Sequence, residues 1–158
     1  MHVQATHDSR RLPSTDWNVS ELPAGWLLAL LSRRLHRQLS DKLSPFGLSL
    51  AEFGCMQLLE TEPGLTLTEL ARRAEVSRQS MWEIVQTLEN AGLTTRLDSG
   101  RARSAVLNNT GKRYLNQARR EIAETENLML ANITVSERKT LKSLLAKLVS
   151  PEDARGDQ

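Results

Sequence analysis

One short pattern that starts helices occurs three times in the sequence, and it constrains the fold more than any other feature. Ser49–Glu52, Thr66–Glu69 and Thr134–Glu137 each place a hydroxyl residue three positions before a glutamate. In such a capping box the hydroxyl accepts a backbone N–H and the carboxylate accepts the N–H of the capping residue. Because each box precedes apolar residues with helical spacing, we expect helices near residues 49–62, 66–75 and 136–149.

Three further helices follow from spacing and end signals. Apolar residues three or four apart predict a helix over 24–46. Ser77 is a favourable N-cap for a helix that Gly92 ends. Asn108 is expected to cap a long helix that reaches about residue 133.

The middle of the chain combines two helices with a predicted hairpin. The tight link 74–77 between the second capping box helix and the Ser77 helix is typical of a helix-turn-helix. Its small core is expected to contain Leu70, Ala71, Val76, Ile84 and Leu88. The runs Thr94–Asp98 and Ala102–Leu107, joined by Ser99-Gly100-Arg101, predict a β-hairpin, which makes the motif a winged helix. We therefore expect a mainly α fold with a small two- to three-stranded β wing.

Composition excludes several classes of protein. At 158 residues with 4% aromatic residues, the chain predicts one domain with an aliphatic, helical core. A net charge of +2 neither demonstrates nor opposes a polyanionic partner. The single cysteine, Cys55, excludes an intrachain disulfide and fits a reducing compartment.

No pattern in the sequence indicates catalysis, a metal or a membrane. We find no nucleophile–base pair, no carboxylate pair and no metal-ligand spacing, so we expect neither an enzyme nor a cofactor. No apolar run approaches the ~20 residues of a membrane helix, and the N-terminus lacks the apolar core of a signal peptide. The expected location is the cytoplasm.

The stretch LTLTELARRAEVSRQSMWEIVQTLENAGLTTRLDSGRARSAVLNNTGKRYL, residues 65–115, closely resembles the MarR family of transcription regulators. The leading helix, LSLAEFGCMQLLE and TVSERKTLKSLLAKL extend the resemblance to roughly residues 22–149. The resemblance implies a winged-helix homodimer that binds a pseudo-palindromic operator, usually as a repressor. Many members release DNA when a small phenolic or anionic molecule binds.

By that resemblance, the outward face of the Ser77 helix meets double-stranded DNA. The implied DNA-binding residues of this helix are Ser77, Arg78, Gln79, Ser80, Trp82, Glu83 and Gln86. The two serines are expected to bind phosphate, the two glutamines to read adenine and the tryptophan to contact a thymine methyl. Arg101, which matches the family's wing arginine, and Arg103 are expected to contact DNA from the wing.

The sequence departs from the family pattern at the centre of this surface. Glu83 stands where the family often has arginine, and Gln86 where it often has aspartate. Glu83 can accept a hydrogen bond from cytosine N4 or pair locally with Gln79 or Thr87, and both interpretations stay open. In the wing, Asp98 stands one position before the family's usual aspartate.

Effector binding and redox sensing are less sharply indicated. The resemblance implies an effector pocket, with Trp26, Leu30, Arg33 and Met56 as candidates. An alternative role for Cys55 is that of a redox sensor. Because its neighbours are apolar and the sequence contains no second cysteine, we instead expect a buried side chain that fills space in the core. A winged helix that binds a protein partner is a further alternative, which Glu83 and the modest charge favour.

The expected domain organisation is discontinuous. Residues 1–21 form a flexible N-terminal arm, 48–108 the winged helix-turn-helix and 151–158 a C-terminal tail. The remaining segments, 22–47 and 109–150, supply the N- and C-terminal dimerisation helices. Their apolar residues exceed what one chain of this length can bury, so we expect an obligate homodimer.

Overall fold

The computed structural model describes residues 18–99 and 102–149, and the described part is helical apart from one antiparallel hairpin. The helices are α1 (Ala24–Leu43), α2 (Leu50–Thr61), α3 (Leu67–Arg73), α4 (Arg78–Asn90), α5 (Asn109–Met129) and α6 (Val135–Val149). The strands are β1 (Thr94–Ser99) and β2 (Ala102–Leu107). Short 3-10 turns occupy Val19–Glu21 and Ser44–Phe46. None of the described helices is both long and apolar enough to cross a membrane.

The helix starts are where the capping patterns predicted them. Ser49 and Thr66 form complete capping boxes with Glu52 and Glu69. The Thr134 hydroxyl likewise accepts the Glu137 N–H at 3.3 Å, while the Glu137 carboxylate accepts the Thr134 N–H at 2.7 Å. These bonds satisfy backbone donors that lack an intrahelical partner, so each fixes the residue at which its helix begins.

Residues 36–158 contain the buried core, and the boundary between two compact units falls within α1, after Leu35. The core is formed by side chains from the C-terminal end of α1, from α2, α3 and α4, from the hairpin and from α5. Its fully buried large members are Leu43, Met56, Leu59, Leu70, Met81, Leu88, Leu115 and Cys55. The expected burial of Cys55 is therefore confirmed.

The hairpin differs from expectation by one residue. Ser99 pairs with Ala102 and therefore belongs to β1, so residues 100–101 alone connect the strands. An isolated bridge between Thr66 and Ser104 places the start of α3 beside β2, as a third strand would be placed. The expected small wing is confirmed, while the predicted wing-tip contact of Arg101 lies outside the described residues.

One core prediction is wrong. Val76 is 37% exposed, because the chain turns outward between α3 and α4. Of the other predicted members, Leu70, Ala71 and Leu88 are buried and Ile84 is half-buried against the core. Most of the predicted arm, residues 1–17, and the tail 151–158 lie outside the described residues.

Candidate nucleic-acid interface

The turn between α3 and α4 sets the direction in which α4 leaves the core. The Glu75 N–H donates to the Arg72 carbonyl at 3.3 Å and the Val76 N–H donates to the Ala71 carbonyl at 3.0 Å. This pair of bonds is a Schellman motif, which requires a left-handed residue after the helix. Glu75 takes that conformation, with φ of 55°. The sequence offered no glycine to signal this turn.

The N-terminus of α4 is capped by its own serines. The Ser77 hydroxyl accepts the Ser80 N–H at 3.0 Å and lies 2.8 Å from the Ser80 hydroxyl. The N–H groups of Arg78 and Gln79 take no intrahelical partner at this helix end. Exposed N–H groups together with the helix dipole favour an anion there, as a DNA phosphate would provide.

Gln79 and Glu83 form a pair on the outward face of α4. Both side chains are exposed, and the Gln79 Nε2 donates to Glu83 Oε1 at 2.8 Å. Of the two predicted local partners of the Glu83 side chain, the structure shows Gln79. Thr87 donates instead to the Glu83 backbone carbonyl, at 3.0 Å.

Trp82 lies at the junction of α4 with the wing. Its side chain is 38% exposed. It borders a narrow crevice together with Leu67, Val85, Arg96 and Ser104. The side chain is therefore partly packed against the protein and partly available to a partner.

Among the predicted DNA-binding residues of α4, Gln86 makes the most side-chain hydrogen bonds. Its Oε1 accepts from Arg96 Nη2 at 2.6 Å, and its Nε2 donates to Asn90 Oδ1 at 3.2 Å and to Glu89 Oε2 at 3.4 Å. Arg96 also donates from Nε to Glu89 Oε2 at 2.7 Å. We call Gln86, Glu89, Asn90 and Arg96 the Gln86 cluster.

Sequence reasoning missed Arg96 altogether. This residue stands on β1, opposite Ala105 in the register, and its side chain returns to the C-terminal half of α4. Because side chains alternate between the two faces of a strand, the sequence of β1 predicts which strand residues share a face with Arg96. It does not predict that Arg96 contacts a helix. In the wing itself, Arg103 lies opposite Asp98 in the register.

The four candidate effector residues have different environments. Met56 is completely buried in the core, whereas Trp26 is 53% exposed and Leu30 39% exposed. Arg33 is exposed as well. Their role in binding an effector stays a prediction.

A cavity of about 270 Å³ lies between the C-terminal half of α4 and the N-terminal ends of α2 and α5. Phe46 and Tyr114 line it and contact each other edge to face, with ring centroids 6.4 Å apart. Glu52 contributes a carboxylate, and the described lining residues include neither Met56 nor a basic side chain. The cavity therefore suits an aromatic group that donates a hydrogen bond better than an anion.

Cys55 is chemically quiet in this fold. Its Sγ lies 3.7 Å from the Met81 sulfur inside the core, and burial together with the nearby Glu52 charge raises the pKa of the thiol to about 12. A thiolate is the reactive form of cysteine, so this environment opposes the redox-sensor alternative. Within the described ranges no group of three His, Cys, Asp or Glu side chains could hold a metal ion.

Comparisons with known proteins identify similar chains. Residues 46–103 match the sequence model of the MarR family. The HTH-type transcriptional repressor Rv2887 of Mycobacterium tuberculosis is 35% identical over 133 residues, which cover 82% of this chain and 96% of that protein.

Solved structures agree with the sequence comparison. The M. tuberculosis MarR family protein Rv2887 in complex with DNA superposes with a TM-score of 0.72 at 33% identity, covering 82% of this chain and 100% of that chain. The same protein in complex with salicylic acid gives 0.67 at 35% identity, covering 81% and 97%. Wild-type MarR from E. coli shares the fold, with a TM-score of 0.70 at 22% identity over 82% of this chain and 98% of that chain.

Proposed function

The chain belongs to the MarR family, and from this premise we propose that it is a sequence-specific DNA-binding transcriptional repressor that a small molecule releases from its operator. The observation that carries the proposal is the exposed outward face of α4, which the turn at Glu75 and the hairpin hold clear of the core. The similar Rv2887 protein is a repressor with a known complex with DNA. Such regulators act without catalysis, and we assign none to this chain.

The geometry of α3, α4 and the wing suits a DNA duplex. An α-helix fits the major groove, which is ~12 Å wide, and the preceding helix of a helix-turn-helix crosses the backbone. The α4 N-terminus offers N–H groups and the Arg78 side chain to phosphate, while Gln79, Trp82 and Glu83 face the bases. We propose that the wing arginines, Arg101 and Arg103, reach the adjacent minor groove, whose negative potential attracts arginine.

Exposed apolar side chains support a homodimer. In the N-terminal unit these are Trp26, Leu28, Leu30 and Leu31, and in the C-terminal helices they are Leu128, Val135, Leu144, Leu148 and Val149. Several of these side chains are more than half exposed in the single chain. A partner chain packed against them would remove this apolar surface from water. We propose that 22–47 and 109–150 form the dimer interface and 48–108 the DNA-binding domain. A two-fold dimer then requires two half-sites about one helical turn apart.

The effector is proposed as a small aromatic molecule, because Rv2887 is known in complexes with salicylic acid and p-aminosalicylic acid. Two places in this chain suit different effectors. The carboxylate of Glu52 in the cavity below α4 favours a neutral phenol, whereas Arg33 favours an anion. Salicylate and its neutral analogue salicylamide distinguish these alternatives, because an uncharged carboxamide replaces the carboxylate on the same phenol ring.

Fluorescence anisotropy with operator DNA tests the proposal. The probe is the best sequence from a random-sequence selection on the purified full-length chain, measured at several salt concentrations. We expect binding that weakens steeply with salt. Arg78→Ala should weaken binding and reduce the salt slope by about one, as the loss of one phosphate contact does. Arg120→Ala, which removes an exposed arginine from α5 outside the proposed DNA-binding domain, is the matched control. With the dimer shown intact by size-exclusion chromatography, it should leave both unchanged.

The same experiment can refute the proposal. If no sequence is enriched, while size-exclusion chromatography shows an intact dimer, the outward face of α4 does not recognise DNA. The winged helix would then serve a protein partner, an alternative that the exposed Glu83 carboxylate favours. Failure of both salicylate and salicylamide to release bound DNA would contradict only the effector class.

A further inference from the structure

We propose that Arg96, on the wing strand β1, determines sequence specificity without touching the bases, by holding the amide of Gln86 away from bidentate reading of adenine. This inference rests on the proposed DNA-binding function. It assigns a role to a residue outside α4, through the Gln86 cluster defined above. Arg96 is a positioning residue in this proposal, because it acts through Gln86.

Reading adenine requires a particular arrangement of free hydrogen-bonding groups on a glutamine. A glutamine recognises adenine by presenting its carbonyl oxygen to N6–H and an amide N–H to N7 at the same time. The side chain has two N–H donors and one oxygen with two lone pairs. Bidentate reading therefore needs one free donor and one free lone pair that point in the same direction.

Most hydrogen-bonding groups of the Gln86 side chain already have partners within the protein. Its Nε2 donates to Asn90 at 3.2 Å and to Glu89 at 3.4 Å, which accounts for both amide hydrogens. Its Oε1 accepts from Arg96 at 2.6 Å, which leaves one lone pair. In this arrangement Gln86 can act as a single acceptor but has no donor for adenine N7.

Arg96 controls the arrangement of the Gln86 cluster. The guanidinium donates from Nη2 to Gln86 and from Nε to Glu89, so one rigid fork sets the positions of both side chains. The short distances, 2.6 and 2.7 Å, are those of charge-assisted hydrogen bonds, which are stronger than the contacts of Gln86 Nε2. Removing the fork therefore releases the Gln86 oxygen and the Glu89 carboxylate together, and the amide can turn toward the groove.

The test compares base preferences of wild type and variants in the full-length dimer. Arg96→Met keeps the length of the side chain but removes the fork, and Arg96→Lys keeps the charge but cannot supply the same two donors. In a random-sequence selection, followed by affinities for single-base variants of the operator, we expect Arg96→Met to gain a preference for adenine at one base pair per half-site. The expected preference over the other bases is at least about fivefold, the lower end for a bidentate contact.

Two controls separate positioning from other roles. The double variant Arg96→Met/Gln86→Ala should lose the new adenine preference, because the amide that reads adenine is gone. Arg96→Lys should gain part of the preference while its salt slope stays that of wild type. A residue that only supports the fold would change the melting temperature and not the base preferences.

Two results would overturn the inference while leaving the proposed function intact. The first is that Arg96→Met recognises the wild-type operator motif with unchanged base preferences. The second is a uniform loss of affinity and a lower salt slope in Arg96→Met, with Arg96→Lys like wild type, because that pattern identifies a phosphate contact. If wild type itself enriches no motif, the proposed function fails and the inference fails with it.

Discussion

Gly111, in the first turn of α5, provides the sharpest stability test of the fold that carries the wing. The residue is buried, and a Cβ added to it would overlap the Leu93 carbonyl oxygen. The same Cβ would lie 3.0 Å from the Leu93 carbonyl carbon and 3.2 Å from Leu107 Cδ2. Gly111→Ala therefore forces the backbone after α4 and the start of α5 apart.

The Leu93 carbonyl cannot move away without a further loss. It accepts the Asn108 N–H at 3.2 Å, and the Leu93 N–H donates to the Leu88 carbonyl at 2.9 Å. Overpacking of this kind costs about 1–3 kcal/mol, and a broken hydrogen bond adds about 1 kcal/mol. Alanine regains about 1 kcal/mol through its helix propensity. The net loss in the free energy of unfolding is expected to be about 1–3 kcal/mol.

Gly54→Ala is the matched control, because Gly54 lies within α2 and a Cβ there meets nothing within 4 Å. It should stabilise the protein by about 0.5–1 kcal/mol. Thermal unfolding followed by circular dichroism, at equal protein concentration since a dimer melts in a concentration-dependent way, measures both. A change of 1 kcal/mol in the free energy of unfolding shifts the melting temperature by about 2–4 °C. Gly111→Ala should therefore lower the melting temperature, and Gly54→Ala should raise it. A Gly111→Ala variant as stable as wild type would refute the reasoning.

Substitutions at Glu75, Cys55 and Glu69 test the turn before α4, the buried thiol and a capping box. Glu75→Gly should raise the free energy of unfolding by up to about 1 kcal/mol in urea titrations, because glycine adopts a φ of 55° without strain; a loss would contradict the left-handed turn. Burial raises the pKa of the Cys55 thiol to about 12, so a thiol reagent at neutral pH should label it only after unfolding, and Cys55→Ser should leave any oxidant response of DNA binding unchanged. The backbone N–H of Thr66, and then its hydroxyl, lower the pKa of Glu69 below the ordinary 4.5, so the carboxylate stabilises the fold above that pH and the contribution disappears as pH falls through the lowered pKa. Glu69→Gln should therefore flatten the acid side of the stability profile measured by urea midpoints, and an unchanged profile would contradict this assignment.

Features that depend on a few consecutive residues were predictable from the sequence. The capping boxes at Ser49, Thr66 and Thr134 join residues three positions apart, and the Asn108 cap accepts the Gly111 N–H over the same separation at 2.9 Å. Gly92 likewise ends α4 with φ of 69°. Such contacts form within one helical turn, so their residue types already determine where each element begins or ends.

Features that depend on packing between elements were not predictable in this way. Val76 was expected in the core because it is apolar, but the left-handed Glu75 before it turns its side chain outward. The contact of Arg96 with Gln86 joins a strand to a helix across 10 positions of sequence, and periodicity says nothing about such a pair. Propensity and spacing act locally, whereas the exposure and partners of these residues depend on how the helix-turn-helix and the hairpin pack.

In the structure, the two roles predicted for the Glu83 carboxylate no longer exclude each other. Local pairing and reading of cytosine stood as alternatives, but a carboxylate has about four acceptor positions on two oxygens. The bond from Gln79 ends on Oε1 and uses one of them. Pairing therefore orients the carboxylate on the outward face of α4 and leaves acceptors for the N4 amine of cytosine. With the Gln86 amide donors directed to Glu89 and Asn90, the central face of α4 presents mainly acceptors, so in the proposed complex it suits positions where the base facing the helix is cytosine or adenine, whose N4 or N6 amine donates.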